Sequence, residues 1–179
     1  MVTTIEVTSP NGRMPAFVAT MPAKIISNQA LTKKAGPAAT SPKKLRIASS
    51  HGVRSAAGRA AGEAIWVPTT LLPRFGIRWT ALDDHHLVAR YDVDAVEIQA
   101  HYSIDVDGRL LSMVFDRWGD PERSGTWGQH PFGGEITAST TFEGLTIPSA
   151  GRFGWFFGTD RWCDGEFFRY QITELHLNV

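Results

Sequence analysis

Apolar and polar residues alternate with period two through most of the chain after residue 76, and turn residues break the alternation at short intervals. The clearest run puts Val96, Ile98, Ala100, Tyr102 and Ile104 on one side and Glu97, Gln99, His101 and Ser103 on the other. Successive side chains of a strand point to opposite faces, so this run predicts a strand with one buried face. Before it, Ile77, Trp79 and Ala81 alternate with Arg78 and Thr80, Asp83-Asp84 turns the chain, and Leu87, Ala89 and Tyr91 return. Asp92-Val93-Asp94 marks the next turn. Asp107-Gly108 predicts a hairpin, because glycine takes positive φ without steric cost, and Leu111, Met113 and Phe115 come back from it.

The segment from Trp118 to Pro131 is rich in Gly, Pro and charge and reads as loop. Ile136, Ala138, Thr140 and Phe142 restart the alternation, Glu143-Gly144 turns, and Ile147, Phe153, Trp155 and Phe157 form the next inward row. Gly158 to Gly165 is a second loop. Phe168, Tyr170 and Ile172 share a phase that Leu175 and Leu177 leave, which predicts a β-bulge near Thr173-Glu174. The aromatic-rich stretch from Gly133 to Tyr170 is thus the end of a β-meander, not a catalytic motif.

Upstream the period changes. Val53 to Trp66 carries alanines at 56, 57, 60, 61 and 64, with Ser55 as N-cap, and Ala57, Ala61 and Ile65 fall on one helical stripe. Gly58 and Gly62 oppose a helix unless it packs so closely that a side chain there would collide. Val67-Pro68 ends it, and Pro73 holds Leu71 and Leu72 in an extended, buried connector.

Together these signals predict an α+β, mostly β fold: a curved antiparallel meander of about seven strands, an open half-barrel, with one short packing helix. Residues 51–179 form its single domain. Residues 1–50 contain Pro10, Pro15, Pro22, Pro37 and Pro42, a single Phe17 and no Trp or Tyr. Such a stretch buries too little apolar surface to offset its ordering entropy, so it reads as a basic, disordered tail or an aberrant N-terminus.

The chain of 179 residues is 42% hydrophobic and 20% charged, enough for one core. Its net charge of zero gives no global field toward nucleic acid or an anionic membrane, and no nucleic-acid partner is expected. The balance hides an asymmetry, since the first 50 residues hold seven basic side chains against Glu6 alone. The single Cys163 excludes an intrachain disulfide and fits a reducing, cytoplasmic setting. No apolar run reaches the length of a transmembrane segment.

Candidate chemistry is sparse. Asp83-Asp84-His85-His86 holds metal-ligand residue types, but neighbours on a strand diverge, so a polar hairpin turn is the better account. Asp105-Val106-Asp107-Gly108 echoes a calcium loop, but the position where a bidentate Glu should close it is Asp116, deep in the following strand, so it reads as a turn. Cys163 sits beside Asp164, which disfavours a thiolate. Glu97, His101, Asp116, Glu135, Arg152 and Arg169 alternate outward and read as cross-strand ion pairs on a solvated face. No metal or other cofactor is expected.

Three stretches carry a family likeness: RSAAGRAAGEAIWVPTTLLPRFGIRWTALDDHHLVARYDVDAV, FDRWGDPERSGTWGQHPFGGEI and FEGLTIPSAGRFGWFFGTDRWCDGEFFRYQITEL. From about residue 54 onward the chain resembles a bacterial, mainly actinobacterial, domain-of-unknown-function family. The resemblance implies a curved antiparallel sheet, similar to the half-barrels of lipoprotein-sorting and lipid-carrier proteins. It implies no catalytic residues.

The expected function is a non-enzymatic binding or carrier module that holds an apolar small molecule or lipid against Trp79, Tyr91, Tyr102, Phe115, Trp155, Phe168 and Tyr170. The simpler account of these aromatics is a core under the helix. Two alternatives stand beside it: a hydrolase-type enzyme using Asp83, His85, His101 or Asp116, and a protein-interaction module pairing through a sheet edge.

Overall fold

The computed structural model describes residues 7–8 and 42–176, and for 7–8 and 42–49 the backbone alone. The remaining tail residues, with Phe17 and Lys33-Lys34, and Leu177 lie outside the described residues. One antiparallel sheet contains β1 (Val7–Thr8), β2 (Arg78–Ala81), β3 (His86–Val93), β4 (Val96–Ile104), β5 (Leu110–Gly119), β6 (Gly128–Phe142), β7 (Leu145–Trp155) and β8 (Glu166–Gln171). Strands β2 to β8 follow one another as a meander, and β1 pairs with the outer edge of β8. The architecture is α+β, mostly β: an open antiparallel sheet with a packing helix.

Period two produces the middle of this sheet because strands such as β4 bury one face, whereas β2 is exposed along its length. On β4, Ile98, Ala100 and Tyr102 are buried while Glu97, Gln99 and His101 are exposed. The turn before β4 is narrower than Asp92-Val93-Asp94 and sits at Asp94-Ala95, where both φ values are positive and Val93 faces Val96. A two-residue turn of that kind matches the strand twist. Glu143-Gly144 makes the same turn between β6 and β7.

Register shifts correct two assignments. Ile104 pairs with Leu110 and Ser103 with Ser112, so Leu111 is left over and points to solvent at 47% exposure, while Leu110 packs on the core. The phase change near Thr173 is no bulge: β8 ends at Gln171, and Ile172 and Leu175 are both buried along an irregular segment that the Ile172 N–H ties to the Ser149 carbonyl. The loop expected from Trp118 to Pro131 shrinks to residues 120–127, because β5 and β6 stay paired through Gly119 and Gly128. Pro131 is tolerated there. Its carbonyl accepts from Phe156 N–H on the β7 side, so the missing N–H falls where β7 is leaving the sheet and costs no bond to β5.

Helix α1 (Pro42–Glu63) begins earlier than expected, with Pro42 at its first turn, where an N–H would be unpaired anyway. Ser55 is therefore inside the helix, not its cap. The expected stripe is buried: Ala57 and Ala61, then Ile65 in a 3₁₀ turn (Ala64–Trp66) that continues the helix. The connector is not extended. Two 3₁₀ turns, Pro68–Leu71 and Pro73–Phe75, each start on proline, leaving Leu71 on the core and Leu72 exposed, not buried.

Helix α1 lies mainly across β5. In the core Met113, Ile147 and Phe153 are fully buried, each worth about 1.5–3 kcal/mol of transfer free energy. Backbones approach closely where Gly133 faces Gly154, since a Cβ on Gly133 would meet the Met113 carbonyl oxygen of β5 and one on Gly154 the Gly165 carbonyl oxygen at the corner leading into β8. Side-chain-free positions of this kind let a sheet coil tightly over a narrow core.

Candidate functional site

The seven nominated aromatics divide into two groups. Trp155 packs edge-on against Phe132 with centroids 5.1 Å apart, and Phe132 meets Phe115 at 5.9 Å and Phe153 at 6.4 Å. Phe153 in turn stacks on Phe168 at 5.9 Å and meets Tyr170 at 6.0 Å. Four nominated residues are thus joined through Phe132 and Phe153. Trp79 and Tyr102 form a separate pair at 5.2 Å, with the Trp79 indole donating to the Leu71 carbonyl.

Burial separates them again. Tyr91, Tyr102, Phe115 and Tyr170 are buried, Trp155 and Phe168 are half-buried, and Trp79 is exposed on β2. Burial raises the phenol pKa of Tyr91, Tyr102 and Tyr170. The Tyr91 and Tyr102 hydroxyls are close enough to perturb each other, yet neither makes a hydrogen bond with a described residue, and the same holds for the Tyr170 hydroxyl and the Trp66 indole.

An open cleft of about 320 Å³ lies where α1, the 120–127 loop and the corner between β7 and β8 converge. That corner contains α2 (Trp162–Gly165). Trp127, Trp155 and Phe167 supply apolar wall, and Arg117 and Arg123 supply positive charge. Room for the Trp155 ring exists because Gly119 has no side chain; a Cβ there would collide with the indole.

Arg117 is the residue that the sequence reading passed over. Met113, Phe115 and Arg117 share one strand phase, which is the signal for it, but a charged residue next to the Gly- and Pro-rich segment from Trp118 does not look like part of a buried row. The guanidinium lies over the Phe132 ring at 4.5 Å and the Trp155 ring at 5.1 Å. Its Nε is buried without a partner, and no described residue forms an ion pair or hydrogen bond with it. Desolvation lowers its pKa to about 10, with repulsion from Arg59 adding and attraction to Glu63 opposing. Glu63 itself is bonded to Arg59 Nε at 2.7 Å.

The acids that share the cleft are largely committed. Asp120 accepts the Ser124 and Gly125 N–H groups and shapes the loop. Glu166 accepts from Arg169 at 2.7 Å and Arg152 at 3.4 Å, and these hold its carboxyl below its ordinary range.

The hydrolase-type residues do not converge. Asp83 accepts the His85 and His86 N–H groups and sits 2.8 Å from His86 Nδ1, closing the polar turn between β2 and β3. His101 lies on the outer face of β4, 3.1 Å from the Gln99 amide. Asp116 is on β5 opposite Pro131. Among the described residues no three His, Cys, Asp or Glu side chains gather at metal-ligand distance. Of the outward charges, Glu135, Arg152 and Arg169 do form ion pairs, the last with Glu166.

Among the described residues no helix is long and apolar enough to cross a membrane. No curated protein and no solved structure matches the chain. A family profile does, over residues 19–167, a span that starts within the proline-rich basic stretch. The chain belongs to the family of unknown function DUF6544.

Proposed function

We propose that the domain is a non-enzymatic binding module for a small apolar molecule or the apolar end of a lipid. In this reading the ligand seats in the cleft against Trp155, and Phe115, Phe168 and Tyr170 stiffen that wall through Phe132 and Phe153. Tyr91, Tyr102 and Trp79 form the opposite end of the aromatic face and hold the sheet's shape.

The observation that carries the proposal is the cleft itself. Half-buried Trp155 and exposed Trp127 and Phe167 line one concavity of about 320 Å³, the lower end of the range for small-molecule sites. Half of the residues that line it are polar or charged, so the seat is amphipathic, an apolar wall facing Arg117 and Arg123 on one side and Asp120, Asp164 and Glu166 among the rest. The lone thiol is compatible with a module that works in a reducing cytoplasm.

Tryptophan emission of the purified chain, titrated with 2-naphthalenemethanol, tests the reading. Saturable quenching that Trp155→Leu weakens is the expected result. No saturable response up to millimolar probe, an affinity floor of about 4 kcal/mol, sinks it.

A further inference from the structure

We infer that Arg117 is an anion anchor, so that the ligand of the cleft carries a carboxylate, phosphate or similar oxyanion on its apolar body. The inference rests on the cleft being the binding site. A charge held largely out of water is costly unless something pairs with it, and such guanidinium groups normally meet a carboxylate within the protein. Arg117 does not. The nearest helix carboxylate, Glu63, is taken by Arg59, and the acids of the cleft wall, Asp120 and Glu166, are occupied by the loop N–H groups and by Arg152 and Arg169.

The position is also built. Phe132 and Trp155 hold the guanidinium plane by cation–π contact, and Gly58 on α1 leaves space for the side chain to pass beneath the helix. A guanidinium presents several N–H donors in a fixed fork that matches oxyanions bidentately. An apolar body against Trp155 and an oxyanion on Arg117 would use both halves of one cleft.

The experiment compares three probes of one ring system on the full chain by calorimetry: 2-naphthoate, 2-naphthyl phosphate and the neutral 2-naphthalenemethanol. At least one anion is expected to bind about tenfold tighter than the alcohol, the scale of one charge-assisted hydrogen bond. Which of the two anions leads tells a carboxylate ligand from a phosphate. Arg117→Gln is expected to remove that advantage and leave the alcohol within about twofold. Arg123→Gln is expected to leave the anion advantage in place. Equal binding of all three probes to the unaltered chain overturns the anchor while leaving the apolar site standing, and needs no variant. An advantage that survives Arg117→Gln, or disappears with Arg123→Gln, also overturns it. Binding by none of the three removes the cleft reading itself.

Discussion

A Cβ placed on Gly58 would stand 2.7 Å from Cγ of Arg117. That single approach ties the helix to the cleft, because the arginine can lie under α1 only where the helix carries no side chain. Gly62, one turn on, is different: a Cβ there would lie 3.8 Å from the Phe115 and Phe132 rings, an ordinary contact.

The two glycines should therefore respond oppositely to alanine. Gly62→Ala is expected to stabilise the fold by roughly 0.5–1 kcal/mol through helix propensity and chain entropy. Gly58→Ala gains the same propensity but pushes against the middle of the Arg117 side chain, and a net loss of about 1–2 kcal/mol is expected. Urea unfolding of both variants decides, and stabilisation by Gly58→Ala would falsify the close approach.

The chain has three tyrosines, and burial raises the pKa of all three above the ordinary 10. A raised folded pKa means stability is complete below the unfolded value and falls as pH rises toward the folded one. Absorbance at the phenolate band should stay flat past pH 10 and then rise in one step with unfolding. A separate, non-cooperative phenolate near pH 10 would contradict the burial.

Removing an unpaired buried hydroxyl should cost nothing. Tyr102→Phe is expected to leave stability unchanged or raise it by up to about 1 kcal/mol, since the desolvation penalty goes with the group. A loss larger than that in a thermal melt would mean the hydroxyl is satisfied, with an ordered water the first candidate to look for.

At the cleft wall, Arg169 first and then Arg152 hold the Glu166 carboxyl below its ordinary 4.5. A lowered folded pKa gives stability above the unfolded value, lost as pH falls through the folded one. Glu166→Gln should cost less than about 1 kcal/mol at neutral pH, because its arginine partners are largely exposed. The difference between the two proteins should shrink below pH 4.5, which denaturant curves across that range measure.

His176 tests the C-terminal segment. Glu174, and after it Glu143 at the β6–β7 turn, raise its pKa above 6.5. The linked stability is present below pH 6.5 and declines as pH rises through the folded value. An NMR titration of the imidazole should show a midpoint above 6.5 that drops further with Glu174→Gln than with Glu143→Gln. A midpoint that Glu143→Gln leaves unmoved would show that the segment does not dock on the β6–β7 turn.

Although Trp79 and Ala81 on β2 and Ala138 and Thr140 on β6 are exposed, local pattern alone determined most of the strands, the buried phases of β4 and β8, the Asp107-Gly108 and Glu143-Gly144 turns, and the Ala57–Ala61–Ile65 stripe. Each follows from periodicities and backbone preferences that act over a few residues. Register did not follow, because a bulge depends on the partner strand: Leu111 and Leu110 exchange roles only because Ser103 and Ile104 shift against them. Nor did the start of α1, since Pro42 marks the first turn of a helix only when a helix continues beyond it. The tertiary structure decided the rest. Whether an aromatic is core or wall, whether Glu63 reaches Arg117 or Arg59, and which strand ends meet to form a cleft are relations between residues far apart in the chain, and charge pairing and burial act at that range alone.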